Sequence, residues 1–248
     1  FGMSIWGKVI GGVAGFAVGG PLGALLGAVA GHALDRSRGQ QRQGPGLSSV
    51  ETRQTAFTVA VIVLSAKMAK ADGTVTRDEI NTFKMIFNIS SEEIRDVGRL
   101  FDEARQDATG FEPYAAQIGE MFAHEPAVLE SLLGGLFQIA LADGVVQPSE
   151  LEFLQKVALE FRFPRATFER IKAVHLEDDQ ETPYEILGVR RNASDKDVKS
   201  AYRTLIFENH PDKLIAKGMP QEFIDLANEK MAQINGAYEK IEKERALS

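Results

Sequence analysis

This chain of 248 residues has no cysteine, one tryptophan and four histidines. Without thiols it makes no disulfide and holds no thiolate-bound metal, which fits a reducing compartment. Nowhere do apolar and polar residues alternate over the length of a strand, so a β-sheet is not expected and an all-α fold is. The basic excess of a nucleic-acid binder is missing too, since the formal net charge is −7. Residues 50–181 hold 23 acids against 13 bases, and residues 182–248 hold 11 of each, so no nucleic-acid partner is expected. No serine sits in a nucleophile motif. An Asp–His pair near the C-terminus has a proline between its members, which marks a rigid recognition turn rather than an acid–base couple. The chain is not expected to be an enzyme, and no cofactor is implied.

Charge is also missing from one long stretch. Between Lys8 and His32 lie 23 uncharged residues, Val9 to Gly31. A bilayer core needs about 20 residues at helical rise, so this stretch reads as a single membrane span. Gly7, Gly11, Gly15, Gly19, Gly23, Gly27 and Gly31 recur at every fourth position. On a helix they form one groove of bare backbone, and overlapping Gly-x-x-x-Gly motifs let two such helices pack closely in lipid. A homodimer or higher oligomer through the span is therefore expected. Glycine is a poor helix former, and Pro21 either kinks the helix or splits it into a hairpin. Ala28-Val29-Ala30 resembles a signal-peptide cleavage site, but an uncleaved anchor is the preferred reading. Arg36, Arg38 and Arg42 follow the span while Lys8 alone precedes it, which places everything after it on the cytoplasmic side. Residues 36–50 have no apolar period and read as a flexible linker.

From Glu51 to Val174, helical patterns alternate with short polar breaks. Helices are expected over Ala56–Ala71, Arg77–Phe87, Ser91–Arg105, Pro113–Ala123, Ala127–Ala142, Pro148–Phe161 and Pro164–Ala173. Ala71-Asp72-Gly73-Thr74-Val75 recurs as Ala142-Asp143-Gly144-Val145-Val146, and Glu79-Ile80 as Glu150-Leu151, all at an offset of 71 residues. Two such helix–turn–helix units are expected to pack about a pseudo-twofold. Asp72, Glu79, Asp143 and Glu150 are candidate hard ligands for a divalent cation. Helix capping explains the same acids, since Thr76 with Glu79 has capping-box spacing and Gln147 with Glu150 is a looser version. No metal is expected on balance.

A short acidic linker, 175–181, leads to the last region. There Val198, Ala201, Tyr202, Leu205 and Ile206 make one apolar stripe on a helix over Ser194–Glu208, capped by Ser194. Phe223, Leu226, Ala227, Met231, Ile234, Tyr238 and Ile241 make a second on Gln221–Ile241. The two helices are expected to pack antiparallel around a small core, closed by Tyr184, Ile186 and Leu187. Between them lies Asn209-His210-Pro211-Asp212-Lys213. Pro211 disfavours helix continuation, which presents His210 and Asp212 outward.

His-Pro-Asp between two such helices, with Pro183-Tyr184-Glu185-Ile186-Leu187-Gly188-Val189 in front, resembles the J-domain family over about residues 182–248. The resemblance implies that His210, Pro211 and Asp212 engage a DnaK-type chaperone and stimulate its ATP hydrolysis. It also implies a basic helix face for that partner, here Lys196, Lys199 and Arg203, with Lys213 just past the loop. One departure is that Glu208 and Asn209 stand where many J domains carry lysine and tyrosine, which weakens the basic face. The two Ala-Asp-Gly turns, each followed by an acid, resemble the TerB-like family of helical domains over roughly 51–174. Span, TerB-like middle and J domain in this order resemble the membrane-anchored DnaJ-like co-chaperones of Gram-negative bacteria. That implies an inner-membrane co-chaperone, in contact with lipid, that directs DnaK to membrane-proximal or envelope-signalling clients of unknown identity. Two other readings stay open: a ligand- or metal-responsive sensor with the J domain as output, and a membrane oligomerisation scaffold built on the glycines.

Overall fold

The computed structural model of the chain describes residues 19–26, 49–72, 77–86, 89, 94–106, 110–176, 183–216, 219 and 221–246. Among them every regular element is helical. The middle region contains α1 (Ser49–Asp72), α2 (Arg77–Ile86), α3 (Ile94–Gln106), α4 (Glu112–Met121), α5 (Pro126–Ala140), α6 (Pro148–Glu160) and α7 (Arg165–His175). The C-terminal region contains α8 (Pro183–Ile186), α9 (Asp195–Glu208), α10 (Pro211–Ala216) and α11 (Gln221–Ala246). The helices expected in the middle region all form, with ends within three residues of expectation except at the start of α1. That helix begins at Ser49, so Ser49 and Val50 are helical rather than part of the 36–50 linker.

α1 and α5 form the centre of the bundle. From Ala56 to Ala69 every residue of α1 is buried, and so is nearly all of α5 from Val128 to Ala140. A helix that is buried, and mostly apolar, all round belongs inside a core rather than on its edge. α3, α4 and α6 pack around α1, while α2, α6 and α7 pack around α5. The two repeat copies interlock reciprocally: α1 of the first contacts α6 of the second, and α5 of the second contacts α2 of the first. This is the exchange expected of a pseudo-twofold. Close approach is bought with glycine at Gly119, where an added Cβ would lie 2.8 Å from the Glu160 carbonyl oxygen.

The J-like hairpin has its own core of Tyr184, Leu187, Val198, Leu205, Ile234, Ala237 and Ile241, with Tyr202 stacked on Tyr238 at 4.1 Å. Arg245 clasps this end by donating to the Tyr184 hydroxyl (3.2 Å), the Ala193 carbonyl (2.9 Å) and the Asp195 carboxylate. The expectation that all of the second stripe serves this hairpin needs correction. Phe223, Ile224 and Ala227, with Leu214 and Met219 before them, are buried in the core of the helical bundle instead. Phe223 meets Phe57 of α1 edge to face, with ring centroids 4.3 Å apart. One amphipathic helix thus serves two cores in succession.

The expected span, Val9–Gly31, lies mostly outside the described residues. Its described part is a short helical stretch, 20–26, whose Leu22, Leu25 and Leu26 are buried against the bundle. The Gln117 amide donates to the Gly19 carbonyl (3.0 Å) and accepts from the Leu22 N–H (3.0 Å). Gly19 and Gly20 have φ of +61° and +59°, a left-handed pair that interrupts any helix running through them, and Pro21 follows in a first helical turn. Among the described residues no helix is long and apolar enough to cross a membrane.

Candidate functional site

Ser194 starts α9 by accepting the Asp197 N–H at 3.1 Å, the cap expected of it. Asp195 and Asp197 in the first turn suit the positive end of the helix dipole. Val198 and Leu205 hold one face against α11, which leaves Lys196, Lys199 and Arg203 exposed on another. These three bases are spaced three and four residues apart, so they share a stripe. Continued by four residues, the stripe reaches Phe207, which is 68% exposed. Lys213 folds back over the Phe207 ring, its Nζ 3.5 Å from the centroid, in a cation–π contact. Sequence reasoning passed over Phe207, although its spacing from Arg203 put it on the basic stripe.

Glu208 ends α9 and Pro211 opens the short helix α10, so the turn between them is two residues deep, Asn209 and His210. The Asp212 N–H donates to His210 Nδ1 at 3.2 Å, and the Lys213 N–H to the His210 carbonyl at 2.9 Å. With Nδ1 accepting, the neutral ring carries its proton on Nε2, pointing a donor away from the turn. The Asp212 carboxylate lies 3.5 Å from Nδ1, too long for a hydrogen bond, and its side chain is 81% exposed. The pair therefore offers an outward donor and an outward anion on a rigid turn. Such a turn suits recognition.

Beneath this surface is a group of buried ionic residues that the sequence did not reveal. Glu130 of α5 accepts from Arg170 of α7 at 2.6 Å and also from Lys230 of α11. All three side chains are at most 8% exposed. Burial alone would push the Glu130 carboxyl up, but the Lys230 ammonium and then the Arg170 guanidinium outweigh it and hold it down to about 2. Burial lowers the Lys230 ammonium, and the Glu130 charge partly restores it. Lys230 also donates to Asn209 Oδ1 at 2.7 Å, while Asn209 Nδ2 donates to the Leu205 carbonyl at 2.9 Å. Asn209 is thus 3% exposed. It is not a gap in the basic face, as its departure from the family pattern suggested, but an inward-facing residue.

The acids of the repeat have local duties. Asp143 accepts the Val145 N–H at 3.1 Å, and Glu150 accepts the Gln147 N–H at 2.8 Å, closing the start of α6. The side chains of Asp72 and Glu79 lie outside the described residues, and among those described no cluster could hold a metal ion. Of the glycine series, Gly7, Gly11, Gly15, Gly27 and Gly31 lie outside the described residues. Gly19 is exposed and Gly23 is buried.

A helical hairpin that presents an exposed His-Pro-Asp turn at the end of a basic helix, fused to an interlocked helical bundle, defines a J-domain protein. Comparison with known families agrees, region by region. The Co-chaperone DjlA transmembrane domain matches residues 3–43, the Tellurite resistance protein TerB family residues 58–173, and the DnaJ domain residues 182–246. Over 276 residues the chain is 33% identical to the Co-chaperone protein DjlA of Photobacterium profundum, covering 98% of this chain and all of that one. It is 31% identical to that of Vibrio cholerae and 29% identical to that of Coxiella burnetii, in each case over 99% of this chain and the whole of the relative. No solved structure gives a significant match. The chain belongs to the DjlA family of membrane co-chaperones.

Proposed function

We propose that this co-chaperone stimulates ATP hydrolysis by a DnaK-type chaperone through His210, Pro211 and Asp212, while Lys196, Lys199, Arg203 and Lys213 attract the partner. The supporting observation is the turn itself: an outward imidazole donor and an outward carboxylate at the end of an exposed basic stripe. Because residues 182–248 balance their charges, attraction to an acidic partner is local to that stripe. The family's transmembrane region supports anchoring, and Arg36, Arg38 and Arg42 favour an inner-membrane orientation with both folded regions in the cytoplasm. The repeated glycines favour self-association in the bilayer, and choice of client falls to the TerB-like bundle. Asp143 already closes a turn and Glu150 already caps α6, which takes support away from a metal-responsive sensor. Single-turnover ATP hydrolysis by the chaperone tests the central claim. Wild type accelerates it and His210→Gln does not; equal rates for the two would refute it.

A further inference from the structure

We infer that the TerB-like bundle is a brace for the His-Pro-Asp turn, with Glu130 and Arg170 acting through Lys230 and Asn209 as positioning residues for His210. This rests on the proposed role of the turn in stimulating a DnaK-type chaperone.

Four observations carry it. Asn209 immediately precedes His210 and is buried between exposed Glu208 and exposed His210. Its backbone N–H and its side-chain amide both donate to the Leu205 carbonyl, at 3.0 and 2.9 Å, so backbone and side chain are fixed together. Its remaining acceptor is taken by Lys230, whose ammonium is held in turn by Glu130 on α5. On the far side of the turn, Leu214 is 2% exposed and anchored in the bundle's core with Phe223. The segment 210–213 is therefore fixed at one end by a charged chain of hydrogen bonds and at the other by apolar burial. The first runs through Lys230 of α11 to Glu130 and Arg170 of the bundle, and the second ends in the bundle's core.

The hairpin's own apolar core, Tyr184, Leu187, Val198, Leu205, Ile234, Ala237 and Ile241, contains none of the ionic side chains. A buried ionic group of this kind is weak evidence for stability but well suited to fixing one geometry among several. It defines where the imidazole sits relative to α9. The basic stripe lies on the opposite, exposed face and does not depend on it. Loosening the brace should therefore lower the maximal stimulation more than the affinity for the partner.

The test uses the full chain in liposomes with a DnaK-type chaperone and two readouts. One is amide hydrogen exchange at Asp212 and Lys213 without the chaperone; the other is single-turnover ATP hydrolysis over a range of co-chaperone concentrations. Asn209→Ala should speed exchange at both amides by about tenfold or more, the scale of a lost charge-assisted hydrogen bond. It should cut maximal stimulation several-fold and leave the half-stimulating concentration nearly unchanged. Asn209→Ala combined with Lys230→Met should be no worse than Lys230→Met alone, since both cut one chain. Where Lys230→Met fails to fold, the triple variant Glu130→Met, Arg170→Met, Lys230→Leu replaces the charges with apolar side chains of similar volume and still frees Asn209. Unchanged exchange in folded Asn209→Ala and in the triple variant would overturn the brace, even with stimulation still abolished by His210→Gln. Faster exchange in both supports the brace, even where His210→Gln leaves hydrolysis untouched and the proposed function itself fails.

Discussion

Replacing Phe223 with alanine should have opposite effects in two pieces of this protein. In the chain from residue 49 onward, Phe223 is 2% exposed and packs edge to face on Phe57 at 4.3 Å. Truncating such a buried phenylalanine costs about 3–5 kcal/mol, of which roughly 0.5–1.5 kcal/mol belongs to the aromatic pair. In a fragment of residues 182–248 nothing from the bundle covers the ring. Alanine is the better helix former by roughly 0.5 kcal/mol, so the same change should be neutral or slightly stabilising there. Urea unfolding followed by circular dichroism reads both. With a slope of about 1–3 kcal/mol per molar, the midpoint of the long piece should fall by roughly 1–5 M while that of the fragment holds or rises. Equal losses in the two pieces would refute the reasoning, because Phe223 would then belong to the hairpin's own core.

Two further expectations follow from burial and close contact. His175 is buried and stacked on Phe137, and burial, with a smaller push from Lys230, lowers its pKa from 6.5 to about 4. The fold therefore holds it neutral while the unfolded chain takes up a proton below pH 6.5. Its share of stability is complete above that pH and is lost as the pH falls toward 4, up to about 3 kcal/mol. Urea midpoints at several pH values should show this acid limb in wild type and lack it in His175→Phe; parallel pH profiles would contradict the assignment. Gly119→Ala drives a methyl group against the Glu160 backbone and should cost about 1–3 kcal/mol, whereas Gly236→Ala on α11, with nothing within 4 Å, should gain roughly 0.5–1 kcal/mol. Thermal melts of the two variants shifting in the same direction would contradict the packing described.

Much of this protein is legible without coordinates, because local physics writes it. The apolar stripes of α9 and α11, the Ser194 cap, the proline-stiffened turn at 210–212 and the repeated Asp-Gly turns each depend on residues within about one helical turn of one another. Local spacing also explains why helix ends fall within a few residues of expectation, and why the start of α1 does not. Residues 49–55 carry no apolar period, and the bundle draws them into a helix that the pattern alone would not begin. Phe207 was legible too, since four residues past Arg203 is the same face.

What the sequence determined alone is therefore the inventory: an all-helical chain, a long uncharged glycine-rich stretch, a duplicated helix–turn–helix and a His-Pro-Asp turn between two amphipathic helices. The tertiary structure decided which surface covers which stripe. Phe223 and Ile241 lie on one face of one helix with the same spacing, yet one belongs to the bundle and the other to the hairpin. Glu130, Arg170 and Lys230 come from three helices, with 100 residues separating Glu130 from Lys230. No periodicity records such a meeting. Burial energy depends on the partner as well as on the residue, and partners this distant in sequence are chosen only when the helices pack.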